Sequence, residues 1–504
     1  MALEEKTAVD EAPEARPAGK GLSSGMRWSG ISVAGRQVCQ VLFTIAVARM
    51  IGPEPFGVVA QAVVYIGVVG LLLDQGFSSA LIQRPVIERD MPGAVVTVNL
   101  GIGALLTAIT VAIAPAWAAF METPELGLVL AVLAPTLFVR SVAITPRALL
   151  LRTMEFRKIG IADVSSAAVG GALGVLAAVF GASYWALVVQ ILSTDLVLAL
   201  VMLIVGAGRW PNLHMYRLRE IAGFSWRAFA AGLLINSVSR NIDNVLVGRF
   251  QGPEQLAFYG LAYRLLLLPV QLASTMIGTV LFPLFSRLAD NITALRAENA
   301  RATRSIATLV LPAMALVAAA APQVVLLVFG GEWTPAVPIV QVLAMAGALQ
   351  AVYTPSHAAL ILGLGKATLN LRLAWVTTVV STAGIVAGLP FGAIGVAIGY
   401  CVATGLLVPV EWIVRGRLVN TSVWSQVTML LPGLHVALWM AAAYLLVAVA
   451  IPGKDVLVLV LGAVAALVVG LAVLRLAHRA LLTEFLHMGR SLLGRVRTTA
   501  PAES

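Results

Sequence analysis

The sequence predicts an all-α polytopic membrane protein with fourteen transmembrane helices. We expect two six-helix lobes, related as a parallel repeat around a central cavity, plus two C-terminal helices. The prediction rests on composition, on the count of apolar segments and on an internal repeat. Of the 504 residues, 60% are hydrophobic and 12% are charged, whereas soluble domains are about 25% charged. A water-soluble fold of this composition would expose too much apolar surface, so the chain must cross a membrane repeatedly.

A membrane-spanning helix needs about 20 mostly apolar residues. Gly, Pro and charged residues separate fourteen candidate segments, and the links between them are mostly short. The segments are residues 29–49, 56–82, 92–119, 125–145, 159–180, 184–206, 221–247, 256–284, 305–329, 336–362, 370–389, 392–414, 432–451 and 456–475.

The distribution of Lys and Arg sets the orientation of these spans. If the N-terminus is cytoplasmic, 26 of the 34 Lys and Arg residues fall in cytoplasmic segments, 3 in external turns and 5 within spans. Such an excess on one side is the signal that places loops in the cytoplasm. It predicts that both termini are cytoplasmic, and it accounts for the net charge of +10 without a nucleic-acid partner.

The expected domain organisation follows from the spans. Residues 1–25 have no apolar signal-peptide region, so the first span is expected to be an uncleaved anchor. The predicted segments are a disordered cytoplasmic tail (1–26), an N-lobe (27–207), a C-lobe (208–415), two additional spans (416–476) and a basic cytoplasmic tail (477–504).

A repeated motif indicates that the two lobes are duplicates. The pattern Arg-x-x-Gly-Pro-Glu occurs at 49–54 in "ARMIGPEPFG" and again at 249–254 in "GRFQGPEQLA". Two further echoes keep the same order. They are "ITPRALL" (144–150) with "YTPSHAAL" (353–360), and "FGASYWALVVQ" (180–190) with "FGAIGVAIGYC" (391–401). Parallel repeats of this kind are a known plan of membrane transporters.

Ionisable side chains inside the spans are the candidate site residues, since charge within a membrane tends to face a cavity or a partner. Five of the ten candidates are arginines on spans 1, 4, 7 and 8, and a basic cavity would suit an anionic substrate such as a pyrophosphate. The ten are Arg36, Asp74, Arg140, Asp163, Asp195, Arg227, Arg240, Asp243, Arg264 and Glu411.

Structural explanations stay open for several of these arginines. Arg240 and Asp243 are three residues apart on one helix and could simply pair with each other. Arg36 and Arg227 lie near cytoplasmic ends, where long side chains can extend to the interface. Arg264 lies about ten residues into its span, which makes it the hardest to explain in this way.

The remaining candidates have two interpretations each. Asp74, Asp163 and Glu411 lie near span ends, where we expect contact with water. His357 in span 10 is either a proton carrier or a hydrogen-bonded structural histidine. Asp243 and His357 are therefore candidates for coupling or for structural pairing.

Several function classes lack their usual signals. The sequence has no Walker motif and no nucleophile–base constellation, and the external turns at 121–125, 330–335 and 451–455 are short. A membrane-embedded glycosyltransferase or polymerase would need a larger catalytic segment. We therefore expect a non-enzyme with no cofactor and no metal site.

The run at 239–288 resembles the polysaccharide-transporter family of oligosaccharide-lipid flippases, in the multidrug/oligosaccharidyl-lipid/polysaccharide exporter superfamily. The first half agrees through "ARMIGPEPFGVVA", "DQGFSSALIQR" (74–84) and "LRTMEFRKIGIADV" (151–164). The residues of the 239–288 run that carry the resemblance are Arg240, Asp243, Asn244, Gly248, Gly252, Tyr259, Ala262, Tyr263, Arg264 and Pro269.

The resemblance implies two six-helix lobes and transport of undecaprenyl-pyrophosphate-linked sugars from the inner to the outer leaflet of a bacterial plasma membrane. It implies that a basic cavity holds the sugar-pyrophosphate, with Arg36, Arg140, Arg240 and Arg264 as substrate-binding candidates. The expected partners are a lipid-linked oligosaccharide, membrane lipid and a polysaccharide polymerase or export complex. We expect a monomer, because one chain can complete the two-lobe cavity.

Competing hypotheses remain at this point. The main alternative is a cation-coupled exporter of drugs or metabolites on the same fold. A drug exporter should carry buried carboxylates for cationic drugs, whereas this chain has more arginines than central carboxylates within its spans. A lipid-linked glycosyl enzyme is disfavoured by the short loops, and a non-transporting scaffold is left open.

Overall fold

The structure is a computed structural model that describes residues 18–73, 81–82, 87, 90–206, 210–213 and 238–483. For residues 18–32, 34, 238–241, 266–280 and 351–355 only the backbone path is described. Within these ranges the regular secondary structure is helical, and no strand occurs. The chain divides into two compact units, Met1–Asn241 with Gly252–Glu254 and Ile242–Gln251 with Gln255–Ser504.

The first unit contains seven described helices. They are α1 (Ala18–Ile51), α2 (Pro53–Gly70), α3 (Met91–Met121), α4 (Glu125–Leu133), α5 (Pro135–Arg152), α6 (Phe156–Val179) and α7 (Trp185–Val205). Pro135 separates α4 from α5, because proline lacks the N–H that would continue the helical ladder.

The next nine described helices belong mainly to the second unit, which the chain enters within the first of them, at Ile242. They are α8 (Val238–Phe250), α9 (Gly252–Arg287), α10 (Ile292–Val324), α11 (Ala336–Gly363), α12 (Ala367–Gly388), α13 (Gly392–Val419), α14 (Val423–Thr428), α15 (Leu431–Ala450) and α16 (Asp455–Ala477). A π-helical turn at Val325–Phe329 extends α10, and Gly330 then reverses the chain with φ of 100°.

Nine helical stretches within the described residues are long and apolar enough to cross a membrane. The longest, Ala367–Val419, contains both α12 and α13, which are separated by a 3-10 turn at Leu389–Phe391. The all-helical membrane fold is therefore confirmed in the described part of the chain. The total of fourteen spans stays a prediction, since most of the predicted seventh span (221–247) lies outside the described residues.

Several predicted boundaries differ from the structure, two of them in the first two helices. Helix α1 begins at Ala18, so residues 18–26 of the predicted disordered tail are helical. The change coincides with the last proline of the tail, Pro17, after which a helix can start without interruption. Helix α2 ends at Gly70, well before the predicted end at 82. The predicted lobe boundary at 207/208 lies at residues that the structure does not describe.

The repeated Gly-Pro-Glu motif adopts the same backbone conformation in both copies. Gly52 has φ of 80° and Gly252 has φ of 83°, a region that residues with a side chain rarely adopt. In each copy a proline follows directly and a glutamate lies in the first turn of the next helix. The glutamate is favourable there because the helix N-terminus carries partial positive charge.

Small residues allow the helices of the first unit to pack closely around α6. A Cβ added at Gly170 would lie 2.0 Å from Thr194 Oγ1 on α7, and one at Gly171 would lie 2.2 Å from the Phe43 ring on α1. Glycine at these positions lets neighbouring helices approach, as in other membrane helix pairs. This close contact brings the polar end of α6 against both neighbours.

In the second unit, α12 and α13 form an antiparallel hairpin held together by glycines. Gly384 faces Gly399 and Gly388 faces Gly395, and a Cβ at any of these positions would clash with the opposite backbone. The C-terminal helices α15 and α16 pack against α10 through a core that includes Tyr444, whose hydroxyl donates to Gln323 Oε1 over 3.2 Å.

Candidate functional site

An ion-pair cluster on α1, α5, α6 and α7 is the candidate site of the first unit. Arg147 on α5 donates two hydrogen bonds to Asp163 on α6, from Nη1 to Oδ1 at 2.8 Å and from Nη2 to Oδ2 at 3.0 Å. Arg36 on α1 donates to the same Oδ1 at 3.5 Å. Asp163 therefore holds two guanidinium groups from two different helices.

A second pair extends this cluster along α5. Arg140 Nε donates to Asp195 Oδ2 on α7 over 2.8 Å, and Asp195 also interacts electrostatically with Arg36. Arg140 and Arg147 are seven residues apart, which places them on one face of α5 two turns from each other. We call Arg36, Arg140, Arg147, Asp163 and Asp195 the arginine cluster.

The exposure of these side chains is strongly asymmetric. The three arginine side chains are 36–41% exposed, whereas those of Asp163 and Asp195 are 4% and 10% exposed. The carboxylates thus lie beneath the guanidinium groups and fix their orientation. With three cations and two anions, the arginine cluster carries a net charge of +1.

The arginine cluster keeps hydrogen-bonding capacity beyond its internal pairs. A guanidinium has five N–H donors. Among the described residues Arg147 uses two of them, and Arg36 and Arg140 use one each. The remaining donors can bind an anion that approaches from the exposed side.

The packing of α6 explains why the buried carboxylate reaches this position. Asp163 lies next to Ala162, which belongs to an apolar core with Ala143 and Leu150 of α5 and Met202 of α7. Because this core fixes the spacing of α5, α6 and α7, Asp163 faces the arginines and not lipid. Its hydrogen bonds offset the desolvation of a buried carboxylate.

The expectation that Asp163 and Glu411 contact water at span ends was wrong, because both are buried. The helices extend beyond the predicted spans, because α6 begins at Phe156 and α13 continues to Val419. Neighbouring helices therefore cover residues that the sequence places near span ends. Asp74 and Arg227 lie outside the described residues.

A separate polar cluster surrounds Asp243 in the second unit. Tyr259 on α9 donates to Asp243 Oδ2 over 3.2 Å, and the backbone N–H of Asn244 donates to Oδ1 over 2.8 Å. The ring of Tyr263 stacks on Tyr259 with centroids 6.1 Å apart. Both Asp243 and Tyr259 are buried, so this carboxylate has a fixed hydrogen-bonding environment.

The two arginine candidates of the second half have different outcomes. Arg264 is exposed on α9, next to Tyr263, and takes part in further interactions. Arg240 lies in α8, but its side chain is outside the described residues, so its predicted pairing with Asp243 stays a prediction.

His357 pairs with a carboxylate in a third cluster. His357 Nε2 on α11 lies 2.8 Å from Glu411 Oε2 on α13, and both side chains are buried. Arg415, one turn after Glu411, is 1% exposed and donates to Ser356 Oγ over 2.8 Å. The sequence predicted Asp243 and His357 together as coupling or structural residues. In the structure Asp243 pairs with Tyr259, whereas His357 pairs with Glu411.

Sequence reasoning missed Arg147 and Arg415, which it assigned to cytoplasmic loops. Two signals could have found Arg147. It follows Arg140 by seven residues on one helix face, and it lies within the echo that pairs "ITPRALL" with "YTPSHAAL". Arg415 has the matching signal of lying one turn after Glu411 on the same face of its helix.

These features define a multi-pass helical membrane protein with buried acidic groups in both units, which are paired with partly exposed arginines in the first unit. The sequence profile of the family described as "Polysaccharide biosynthesis protein" matches residues 46–338, more than half of the chain. The chain belongs to this family, which is one of transporters and flippases and not of enzymes. The family resemblance inferred from the sequence is therefore confirmed.

Individual relatives match over most of the chain. The chain is 25% identical over 396 residues to the teichuronic acid biosynthesis protein TuaB of Bacillus subtilis (strain 168), an alignment that covers 78% of this chain and 79% of TuaB. It is 24% identical over 502 residues to the succinoglycan biosynthesis transport protein ExoT of Rhizobium meliloti (strain 1021), covering 96% and 99%.

The fold is similar to that of the lipid II flippase MurJ in an inward closed conformation. The TM-score is 0.69 at 11% identity, and the match covers 90% of this chain and 99% of MurJ. This likeness supports the fold class.

Proposed function

We propose that the protein moves a polyprenyl-pyrophosphate-linked oligosaccharide from the inner to the outer leaflet of a bacterial plasma membrane. The product would feed synthesis of an exopolysaccharide, capsule or related cell-envelope polymer. The observation that carries this proposal is the arginine cluster, in which Arg36, Arg140 and Arg147 are half-exposed above two buried carboxylates. The named roles of TuaB and ExoT in polymer biosynthesis and transport support the substrate class.

The chemistry of the head group explains why arginine is used. A pyrophosphate offers several anionic oxygens, and the planar guanidinium can donate two parallel hydrogen bonds to such a group. Asp163 and Asp195 keep the guanidiniums in place before the lipid arrives, which lowers the ordering cost of binding. A net charge of +1 attracts the anionic head group without holding it as tightly as three unpaired arginines would.

We assign Arg264, which is exposed on α9, and Arg240 to later contacts with the same head group. Transport would proceed by alternating access, with both termini in the cytoplasm, as the distribution of Lys and Arg indicates. No part of this scheme requires nucleotide hydrolysis.

The test is a leaflet-exchange assay with purified protein in liposomes. Undecaprenyl-pyrophosphate carrying N-acetylglucosamine is placed in both leaflets, and a membrane-impermeant lectin reports the externally accessible fraction. We expect wild-type protein to expose the inner pool and protein-free liposomes to keep it protected. The same lipid with an uncharged head group should move much more slowly. If the inner pool stays protected with the pyrophosphate lipid, the proposal fails.

A cation-coupled exporter is the second candidate, favoured by the buried carboxylate of Asp243. That carboxylate is only 5% exposed and accepts a hydrogen bond from Tyr259, so a bulky organic cation would have to displace this partner. Competition between a labelled cationic drug and the pyrophosphate lipid in the same liposomes separates the two functions.

A further inference from the structure

A buried charged cluster in the second unit has no part in the proposed recognition of pyrophosphate. His357 of α11 lies 2.8 Å from Glu411 of α13. Arg415 of α13 donates to Ser356 of α11 over 2.8 Å and to Thr303 of α10 over 3.3 Å. All five side chains are buried, and together they join three helices of the second unit.

The charge of this cluster depends on one proton. Glu411 and Arg415 are four residues apart on one helix face and interact electrostatically, so together they are neutral. When the imidazole is neutral, the whole cluster is neutral. When it is protonated, one carboxylate serves two cations and the cluster carries +1. An uncompensated buried charge is costly, so this proton changes the electrostatic balance between the three helices.

Within the described part of the chain, the ring nitrogens of His357 lack the hydrogen bonds that a buried structural histidine normally makes. Nε2 and Glu411 Oε2 are at ion-pair distance but are not aligned as a hydrogen bond, and Nδ1 has no hydrogen-bond partner among the described residues. Buried structural histidines normally satisfy both ring nitrogens. The imidazole can therefore change its protonation state without losing a complete set of hydrogen bonds.

Glu411 and Arg415 are the charged groups in contact with the buried cluster around His357. On α10 the nearest polar groups are neutral, namely Thr303 and, one turn earlier on the same face, Asn299. The other described charged side chains of the packed helices are at least partly exposed. They are Glu254, Arg264, Arg287, Arg296, Glu298, Arg301, Arg304, Lys366, Arg372 and Arg417.

The internal repeat aligns this cluster, in sequence, with a permanently charged pair of the first unit. In the echo of "ITPRALL" and "YTPSHAAL", Arg147 aligns with Ser356 and Ala148 aligns with His357. The first copy thus carries an arginine that stays charged at any physiological pH, paired with Asp163. The second copy carries a histidine one position further along, a residue type that can gain or lose a proton. The two copies therefore carry different ionisable chemistry at neighbouring positions of the repeat.

We propose that His357 and Glu411 form a proton-binding site and that its occupancy is coupled to transport of the lipid substrate. The inference rests on the proposed function. When a proton binds, the His357 imidazole becomes positively charged, and the Glu411 carboxylate then balances both His357 and Arg415. When the proton leaves, Glu411 balances Arg415 alone. The contacts of α11 with α13 thus have two arrangements that differ by one proton.

The functional test compares flipping with and without an imposed pH gradient across the liposome membrane. The probe is undecaprenyl-pyrophosphate carrying N-acetylglucosamine, and the variants are His357→Gln and Glu411→Gln. For one coupled proton, a gradient of one pH unit can change the equilibrium distribution of the lipid between the leaflets by up to about 10-fold. We expect a several-fold response in wild type, and little or no response in either variant. His435→Gln, which alters an exposed histidine outside the cluster, should respond as wild type does.

A second measurement needs neither substrate nor flipping. Histidine-labelled, substrate-free protein is titrated by NMR over about pH 5 to 8, the range in which histidine changes charge. We expect one titrating imidazole signal to vanish in His357→Gln and to shift its midpoint in Glu411→Gln. Folding of each variant is checked by size-exclusion chromatography, and either variant alone suffices if the other misfolds.

The outcomes separate the two claims. If wild type moves no probe lipid, the proposed function fails, whereas the titration still tests the proton-binding site. If wild type flips lipid and His357→Gln or Glu411→Gln keeps the full response to the gradient, the coupling fails alone. If the His357 signal does not titrate, the proton-binding site itself is contradicted.

Discussion

Arg147 and Asp163 are joined by two parallel hydrogen bonds of 2.8 and 3.0 Å between helices α5 and α6. The carboxylate is buried, whereas the guanidinium is about one-third exposed. The same carboxylate also accepts from Arg36 of α1. One buried acid therefore fixes two partly exposed bases, an arrangement that suits the anionic ligand proposed above.

Removal of Arg147 should destabilise the protein more than simultaneous removal of both partners. In Arg147→Ala, Asp163 stays buried with only the longer contact to Arg36, which should lower the free energy of unfolding by about 1–3 kcal/mol. The double variant Arg147→Ala with Asp163→Ala removes the orphaned charge and should recover part of the loss. Thermal unfolding in detergent measures both. A double variant that is no more stable than Arg147→Ala would contradict this prediction.

The positive φ of Gly252 should be costly for any side chain. A Cβ there would meet nothing within 4 Å, so the penalty of Gly252→Ala arises from the backbone alone. We expect a loss of about 1–2 kcal/mol in the free energy of unfolding. Gly260→Ala is the matched control, because Gly260 lies within α9 and also has open space around it. That change should be neutral or stabilising by about 0.5–1 kcal/mol.

The contact between His435 and His478 should make stability depend on pH. His435 Nδ1 lies 3.2 Å from His478 Nε2, just beyond the end of α16. Burial and the neighbouring His435 lower the pKa of His478. The unfolded chain then takes up the proton first, so the contribution of His478 is present above about pH 6.5 and is lost as pH falls through its lowered pKa.

The measurement for this histidine pair is the unfolding temperature of wild type and His478→Gln between about pH 7.5 and 5.5. Wild type should lose more stability on acidification than the variant, and His435→Gln should behave like His478→Gln. Identical pH curves for all three proteins would show that the pair makes no titratable contribution.

Substitution of Arg140 by lysine should weaken binding of a pyrophosphate while keeping the charge. Arg140 uses Nε for Asp195, which leaves its terminal nitrogens for a ligand. A lysine ammonium cannot hold Asp195 and donate a parallel pair of hydrogen bonds in the same geometry. We expect about a 10-fold rise in Kd for a soluble prenyl pyrophosphate, equivalent to about 1.4 kcal/mol. An unchanged Kd in Arg140→Lys would mean that charge alone accounts for binding.

Much of the helical framework could be predicted because its signals are local. The lengths of the apolar segments and the Gly and Pro residues between them predicted most helices close to their observed positions. The repeated motif predicted two matching turns, and in the structure Gly52 and Gly252 of these turns both have a positive φ. The start of α1 and the end of α2 were misplaced. The outcome at such ends depends on tertiary contacts as well as on composition.

The site was predicted only in part, because burial depends on how helices pack. Arg36 and Arg140 were identified from their positions within spans. Arg147 and Arg415 were assigned to loops because their helices extend farther than the apolar segments do. The partner of His357 was not predictable either, since Glu411 lies 54 residues away on another helix and no local pattern links them.

The most direct test of the account is the flipping rate of an Arg36→Ala/Arg140→Ala double variant. The assay uses undecaprenyl-pyrophosphate carrying N-acetylglucosamine in liposomes and compares the variant with wild type and with Arg301→Ala, an exposed arginine of α10 outside the arginine cluster. Loss of two charge-assisted hydrogen bonds, each contributing about 1.5–3 kcal/mol, predicts at least a 100-fold slower rate for the double variant. Arg301→Ala should flip at the wild-type rate. A double variant that folds normally and flips as fast as wild type would contradict the claim that the arginine cluster carries the pyrophosphate.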